Sequence, residues 1–174
     1  YNVKNFFEIG TGRGTGSYSV SLVDSVEKII TFDILEFEQK RETAINFKKE
    51  YVSNEDIYNL VPYKEKNKID FRNIHKSPLE KEKYENSFDL SFIDGNHTDF
   101  DIIMDDFKLS EFVTKDDGIL LFDDYGPDWA VTHVVDYLRE NRDDLSFTLI
   151  PFRGHLFNKE NKEINMGAVL VKKN

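Results

Sequence analysis

Residues 6–16 read Phe6-Phe7-Glu8-Ile9-Gly10-Thr11-Gly12-Arg13-Gly14-Thr15-Gly16. An apolar run passes into alternating glycines, and a stretch of helical character follows over residues 16–23. A strand that ends in such a loop, with a helix opening on its far side, lets backbone come close to a nucleotide ligand. Gly10, Gly12, Gly14 and Gly16 are four of the nine glycines in the chain. Ordinary turn usage does not concentrate them so. The nicotinamide fingerprint needs Gly-x-Gly-x-x-Gly or Ala, and it fails in every frame. The third position is Thr15 from Gly10, Ser17 from Gly12 and Ser19 from Gly14. The pattern present is Glu-x-Gly-x-Gly-x-Gly.

Beyond this segment, short apolar runs alternate with amphipathic stretches. The spacing predicts strands over 5–9, 28–33, 69–74, 87–93, 118–123, 147–156 and 166–171. Helices are expected over 16–23, 36–52 (apolar Phe37, Ala44, Phe47 and Tyr51), 98–113 and 128–142. Residues 53–67, with Pro62, read as a polar connection. The fold class is therefore α/β, a doubly wound, mostly parallel seven-stranded sheet with helices on both faces. The last two strands follow each other too closely for a helix and are expected to form an antiparallel hairpin. Ligands of such sheets lie beyond the carboxyl ends of the strands.

The chain has 174 residues, with 23 Lys plus Arg against 33 Asp plus Glu, a formal charge of −10 and a pI near 4.9. That length fits one domain over 1–174. With 39 % hydrophobic and 14 % aromatic residues, composition excludes a disordered chain. The balance is wrong for a domain that grips nucleic acid by its phosphates. Runs such as Ile119-Leu120-Leu121-Phe122 are too short to span a bilayer. The absence of Cys removes disulfides, thiolate metal sites and a cysteine nucleophile, and it is compatible with a cytoplasmic location. An opening at Tyr1 without an initiator Met reads as a fragment or processed form.

Two further segments end on chemistry. Asp33 closes the second strand, 19 residues after Gly14, where a carboxylate can accept from both hydroxyls of a ribose. Its plain alternative is a helix N-cap. Phe88-Asp89-Leu90-Ser91-Phe92-Ile93-Asp94-Gly95-Asn96-His97 ends a strand in an acidic, histidine-bearing turn. Asp117-Gly118-Ile119-Leu120-Leu121-Phe122-Asp123-Asp124-Tyr125 ends another in two carboxylates.

On these motifs the chain resembles the class I S-adenosylmethionine-dependent methyltransferases, whose first motif has the Glu-x-Gly-x-Gly-x-Gly form. The pairing of Ile-Asp-Gly-Asn-His-Thr with Asp-Asp-Tyr is similar to methyltransferase family 24, a sugar and natural-product O-methyltransferase branch related to the catechol enzymes. The resemblance implies a Rossmann-like methyltransferase fold and methyl transfer from S-adenosylmethionine to a small-molecule or sugar hydroxyl. It implies cofactor contacts at Glu8, Gly10, Thr11, Gly12, Gly14, Asp33 and Asp94, and Mg²⁺ or Mn²⁺ on Asp94, Asp123 and Asp124. His97 occupies the place of the relatives' base, with Asp94 beside it. Carboxylates at neighbouring strand ends can share one hard cation, and an imidazole can take a proton near neutral pH. Structural alternatives are a solvated strand end for the carboxylates and a backbone-bonded histidine for His97.

Departures from the family pattern are also legible. Where relatives carry a Gly-Asp-Ser-like turn near adenine, this chain reads His75-Lys76-Ser77, and a cationic Lys76 cannot accept from an amine. N-terminal helices that cover the acceptor in relatives are missing from the chain. Acceptor contacts are then expected from 53–67, 125–131 and 152–163, with Arg153 and His155 as candidates, or from a second subunit of a homo-oligomer. His75 and His133 are expected to be structural, His133 as a partly buried helix residue, and Trp129 to belong to the core or an interface. No nucleic-acid or membrane partner is expected. The alternatives of another class are a non-catalytic cofactor-binding domain of the same fold and methylation of a nucleic-acid or protein acceptor.

Overall fold

Strands covered on both faces need unbroken apolar runs, whereas helices over a sheet need a single apolar stripe. Both patterns govern the computed structural model, which describes residues 2–45, 48–151, 156–157, 163–164 and 166–174. The chain forms two compact units, Tyr1–Glu80 and Lys81–Asn174. The first contains β1 (Asn5–Ile9), α1 (Thr15–Ser21), β2 (Lys28–Asp33), β3 (Arg41–Ile45), β4 (Lys48–Val52), α2 (Asn54–Tyr58), α3 (Tyr63–Lys66) and β5 (Ile69–Asn73). β1 and β2 pair in parallel with Phe7 opposite Ile30, and β2 pairs β5 in parallel with Thr31 opposite Phe71. Phe6, Phe7, Ile9, Ile29, Ile30 and Phe32 are all buried. Each such side chain contributes roughly 1.5–3 kcal/mol.

The second unit contains β6 (Phe88–Ile93), α4 (Phe100–Val113), β7 (Thr114–Tyr125), α5 (Ala130–Asn141), β8 (Leu145–Pro151), β9 (Leu156–Phe157), β10 (Glu163–Ile164) and β11 (Gly167–Lys173). β6 and β7 are parallel, and β11 is antiparallel to both β7 and β8. α5 buries Val131, Val134, Val135 and Leu138, one stripe at helical spacing, in a core shared with Ile103 and Phe107 of α4 and Phe122 and Val169 of the strands. Asp99 caps α4, accepting from the N–H groups of Asp101 and Ile102. Phe100 lies at the rim of that helix, where it meets Tyr137 edge-on.

Of the seven long strands, those of the first unit take the order β5-β2-β1 and those of the second β6-β7-β11-β8. The sheet is mostly parallel with a C-terminal antiparallel pair, as the sequence pattern requires. No helix among the described residues is long and apolar enough to cross a membrane.

Two expectations fail between β2 and β5. The described part of 36–52 does not form a helix; β3 and β4 pair antiparallel instead, with Glu42 opposite Tyr51 and Ala44 opposite Lys49. Thr43, Ile45, Tyr51 and Val52 favour extended backbone. Phe37, read as part of the helical stripe, packs instead on Phe71 and Tyr58, with ring centroids 4.8 and 5.5 Å away. Phe47 lies outside the described residues. The connection 53–67 is not irregular either, since it holds α2 and α3. Ser53 starts α2 with a reciprocal cap: its Oγ accepts from Asp56 N at 3.1 Å while Asp56 Oδ2 accepts from Ser53 N at 2.9 Å.

Candidate active site

The glycine loop is tied to the end of β2. Gly10 and Thr11 both donate their N–H to the Phe32 carbonyl, at 2.8 and 2.9 Å. Gly12 and Gly14 have φ of 54° and 77°, a region that costs other residues about 1–2 kcal/mol. They differ in surroundings. A Cβ on Gly14 would lie 1.9 Å from the Tyr18 ring, whereas one on Gly12 meets only the Gly10 carbonyl, at 3.8 Å. The space over Gly12 is open.

Beneath the loop, Glu8 is buried at 1 % exposure. It accepts hydrogen bonds from the hydroxyls of Ser17 and Thr31. Thr31 spends its single proton on an ionised Glu8, so Thr11 donates in the 2.6 Å bond between the two threonines. Burial nonetheless pushes the Glu8 carboxyl up to about 7. Asp33 holds the loop from the β2 end: Oδ2 accepts from Gly12 N at 3.0 Å and Oδ1 from Leu35 N at 2.9 Å. The next element is a strand, so Asp33 caps no helix.

Asp33 also lines a cavity of about 190 Å³ with Thr11, Leu35, Phe37, Asn54 and Phe71. Lys76 is at its edge, its ammonium paired with Glu36 at 2.8 Å and held above its ordinary range by that carboxylate. Two residues that sequence reasoning missed belong here. Arg41 brings Nη1 to 3.9 Å from Asp33 Oδ2, and its Nη2 is buried without a partner. Asn54 is 4 % exposed, and its Oδ1 is likewise unpartnered. The Ser53-x-x-Asp56 cap could have flagged the helix start that places Asn54; nothing local flags Arg41.

In the second unit, His97 lies between two carboxylates. Its Nδ1 is 3.2 Å from Asp124 Oδ2 and its Nε2 3.8 Å from Asp94 Oδ1. Ligand atoms of Asp94, His97 and Asp124 all lie within 4.8 Å of one another. The expected trio of Asp94, Asp123 and Asp124 is thus not the one brought together, because adjacent strand residues point apart. Asp124 turns back through a left-handed φ of 52°. Asp123 stays outside the group, its carboxyl pushed up by burial against an opposing backbone hydrogen bond from Asp124. Trp129 meets the imidazole edge-on at 5.5 Å and also packs on the core. The His97 carbonyl accepts the Ala130 N–H at 2.9 Å. His133 is exposed, not partly buried. Arg153 and His155 lie outside the described residues.

A family model described as "Methyltransferase domain" matches residues 7–125, the span from β1 to the end of β7. The chain belongs to methyltransferase family 24. Family membership makes the coarse activity methyl transfer dependent on S-adenosylmethionine. No curated protein matches the chain. Among solved structures, it is similar to a precorrin-6y C5,15-methyltransferase from Geobacter metallireducens, at 14 % identity and a TM-score of 0.59, covering 98 % of this chain and 80 % of that one. Cofactor-bound Rv0187 from MTB shares 12 % identity at a TM-score of 0.64, covering 99 % and 75 %. Sp1610 of Streptococcus pneumoniae, a candidate tRNA methyltransferase, shares 12 % at 0.52, covering 98 % and 65 %. At such identities the likeness is one of fold.

For a family 24 domain, the first unit fits the cofactor on its own geometry. Gly12 leaves an open cradle, the cavity adjoins Asp33, and a buried polar atom beside it lacks a partner.

Proposed function

We propose that this domain methylates a hydroxyl of a small molecule or sugar, with His97 as general base. The observation that carries the reading is the His97 imidazole flanked by Asp124 and Asp94 at 3.2 and 3.8 Å. S-adenosylmethionine, when bound, supplies an electrophilic sulfonium methyl. The chain's own residues do the rest. Asp33 accepts the ribose hydroxyls, and Gly12 admits the cofactor where a side chain would obstruct it. Asp124 fixes the imidazole and stabilises its protonated form as the acceptor's proton arrives at the free nitrogen. Trp129 holds the other edge of the ring and limits its rotation. We propose a cytoplasmic setting and no nucleic-acid partner, which the acidic surface supports.

A second reading draws on the same grouping. Mg²⁺ or Mn²⁺ on Asp94 and Asp124, with His97 as third ligand, would supply Lewis acidity to the acceptor hydroxyl. A nitrogen that binds an ion is not free to take a proton, so the two readings exclude each other at that nitrogen. Turnover of hydroxylated acceptors in excess chelator separates them. Under the base reading, turnover persists and His97→Ala lowers it by roughly 10²–10⁴-fold, with affinity for S-adenosylhomocysteine unchanged. Loss in chelator, restored by Mg²⁺ or Mn²⁺, selects the ion. Near-native turnover of His97→Ala on an ordinary alcohol rejects His97 as base.

A further inference from the structure

Asn54 is a polar residue buried at the start of a short helix, with no hydrogen-bond partner for its Oδ1. Several contacts fix its position. Its carbonyl accepts from the Tyr18 hydroxyl at 3.1 Å, the Ser53–Asp56 cap brackets it, and the next residue's N–H bonds the Phe37 carbonyl at 3.0 Å. An acceptor so held and left unsatisfied carries a desolvation cost that only a donor relieves. The place from which a donor can come is the cavity that Asn54 lines together with Asp33.

Apart from the exposed Glu38, the other polar side chains of that cavity are already engaged, Arg72 on Asp70 among them. Thr11 Oγ1 is bonded to Thr31, and Glu36 is paired with Lys76. Asn73 Oδ1 accepts from the N–H groups of His75 and Lys76, and Ser77 Oγ accepts from Asn73 N while donating to the Asn73 carbonyl. Glu38 is exposed, so it has no desolvation cost for a donor to relieve. An adenosine unit substituted at its 5′ position has three donor groups, the two ribose hydroxyls and the exocyclic amine. With the hydroxyls assigned to Asp33, one donor and one buried acceptor remain.

We propose that Asn54 Oδ1 accepts a hydrogen bond from the exocyclic amine of adenine and so selects an adenine nucleoside. Lys76, which stands in the corner after β5, cannot take that role, because an ammonium only donates. The inference rests on the S-adenosylmethionine reading. It adds a specificity residue on an element that the sequence pattern had left as a connection.

The test compares affinities for S-adenosylhomocysteine and S-inosylhomocysteine, which carries a carbonyl oxygen in place of the amine. Wild type should prefer the adenosyl compound by at least about tenfold. Asn54→Ala should bring the two within about threefold, mostly by weakening the adenosyl compound. Asn54→Asp, isosteric and still an acceptor, should keep the preference, and it serves as the readout if the alanine variant does not fold. An unchanged preference in a folded Asn54→Ala, loss of preference in Asn54→Asp, or an inosyl preference in wild type overturns the assignment while leaving the cofactor reading intact. A wild-type protein that binds neither compound overturns both.

Discussion

Glu8 shows how a local motif and its burial combine into a pH response. Its position before the first glycine is legible in sequence; its lifted pKa is not, because that depends on what covers it. The ordinary value is 4.5, and burial takes the folded-state value to about 7 despite hydrogen bonds from Ser17 and Thr31 that favour the anion. Between those two pH values the folded chain holds a proton that the unfolded chain releases. Stability from this group is therefore complete below about pH 4.5 and is lost as pH rises through about 7. The loss is on the order of 3 kcal/mol. Glu8→Gln keeps an acceptor oxygen without the titration. Denaturant unfolding at pH 5 and pH 8 should show a smaller drop for Glu8→Gln than for wild type. Asp106, raised to about 6 by burial within α4, leaves a residual slope of the same sign. Equal drops in the two proteins would mean that Glu8 does not titrate in this range. The reach of sequence reasoning is the same at His97 and Asp124: a turn after a strand marks the histidine. Choosing Asp124 over Asp123 needs the left-handed backbone at Asp124.

At the scale of elements, legibility followed the strength of the period. β1, β2 and β6 were readable because short runs rich in Phe and Ile, bounded by glycine or charged residues, suit a strand in a covered sheet. The hairpin β3–β4 was not. Its apolar residues recur at helical spacing by coincidence, and Phe37 is drawn away by Phe71 and Tyr58. The glycine loop was readable as a loop, but the division of labour among its glycines came only with the Tyr18 ring. Gly14→Ala puts a methyl into that ring at a left-handed φ. Thermal unfolding should show a loss of about 1–3 kcal/mol. Gly12→Val meets open space and carries only the backbone cost of its left-handed φ, at least about 1–2 kcal/mol. It should therefore stay folded and lose affinity for S-adenosylhomocysteine by calorimetry. If Gly12→Val folds and binds like wild type, the loop is a turn with no ligand to admit.

The whole molecule carries a formal charge of −10 over 174 residues, and that bears on which acceptors it can hold. The fold alone does not choose, since one structural neighbour is a candidate tRNA methyltransferase. Charge does. A protein that grips RNA neutralises phosphates with Lys and Arg, and its affinity falls steeply with salt, the slope rising by about 0.7–0.9 for each phosphate contacted. Many cations of this chain are already spent internally: Lys173 on Asp116, Lys115 on Asp89, and Arg142 on both Glu111 and Asp144. An uncharged sugar or phenol meets no such repulsion. Fluorescently labelled tRNA should therefore show no binding at 150 mM salt or at the lower salt that exaggerates electrostatics, roughly 25 mM. Methyl incorporation should appear in low-molecular-weight hydroxylated acceptors and be indifferent to added RNA. Affinity for tRNA that climbs as salt is withdrawn, or label recovered in RNA, would move the acceptor from a small molecule to a polynucleotide. It would leave the family assignment and the cofactor site untouched.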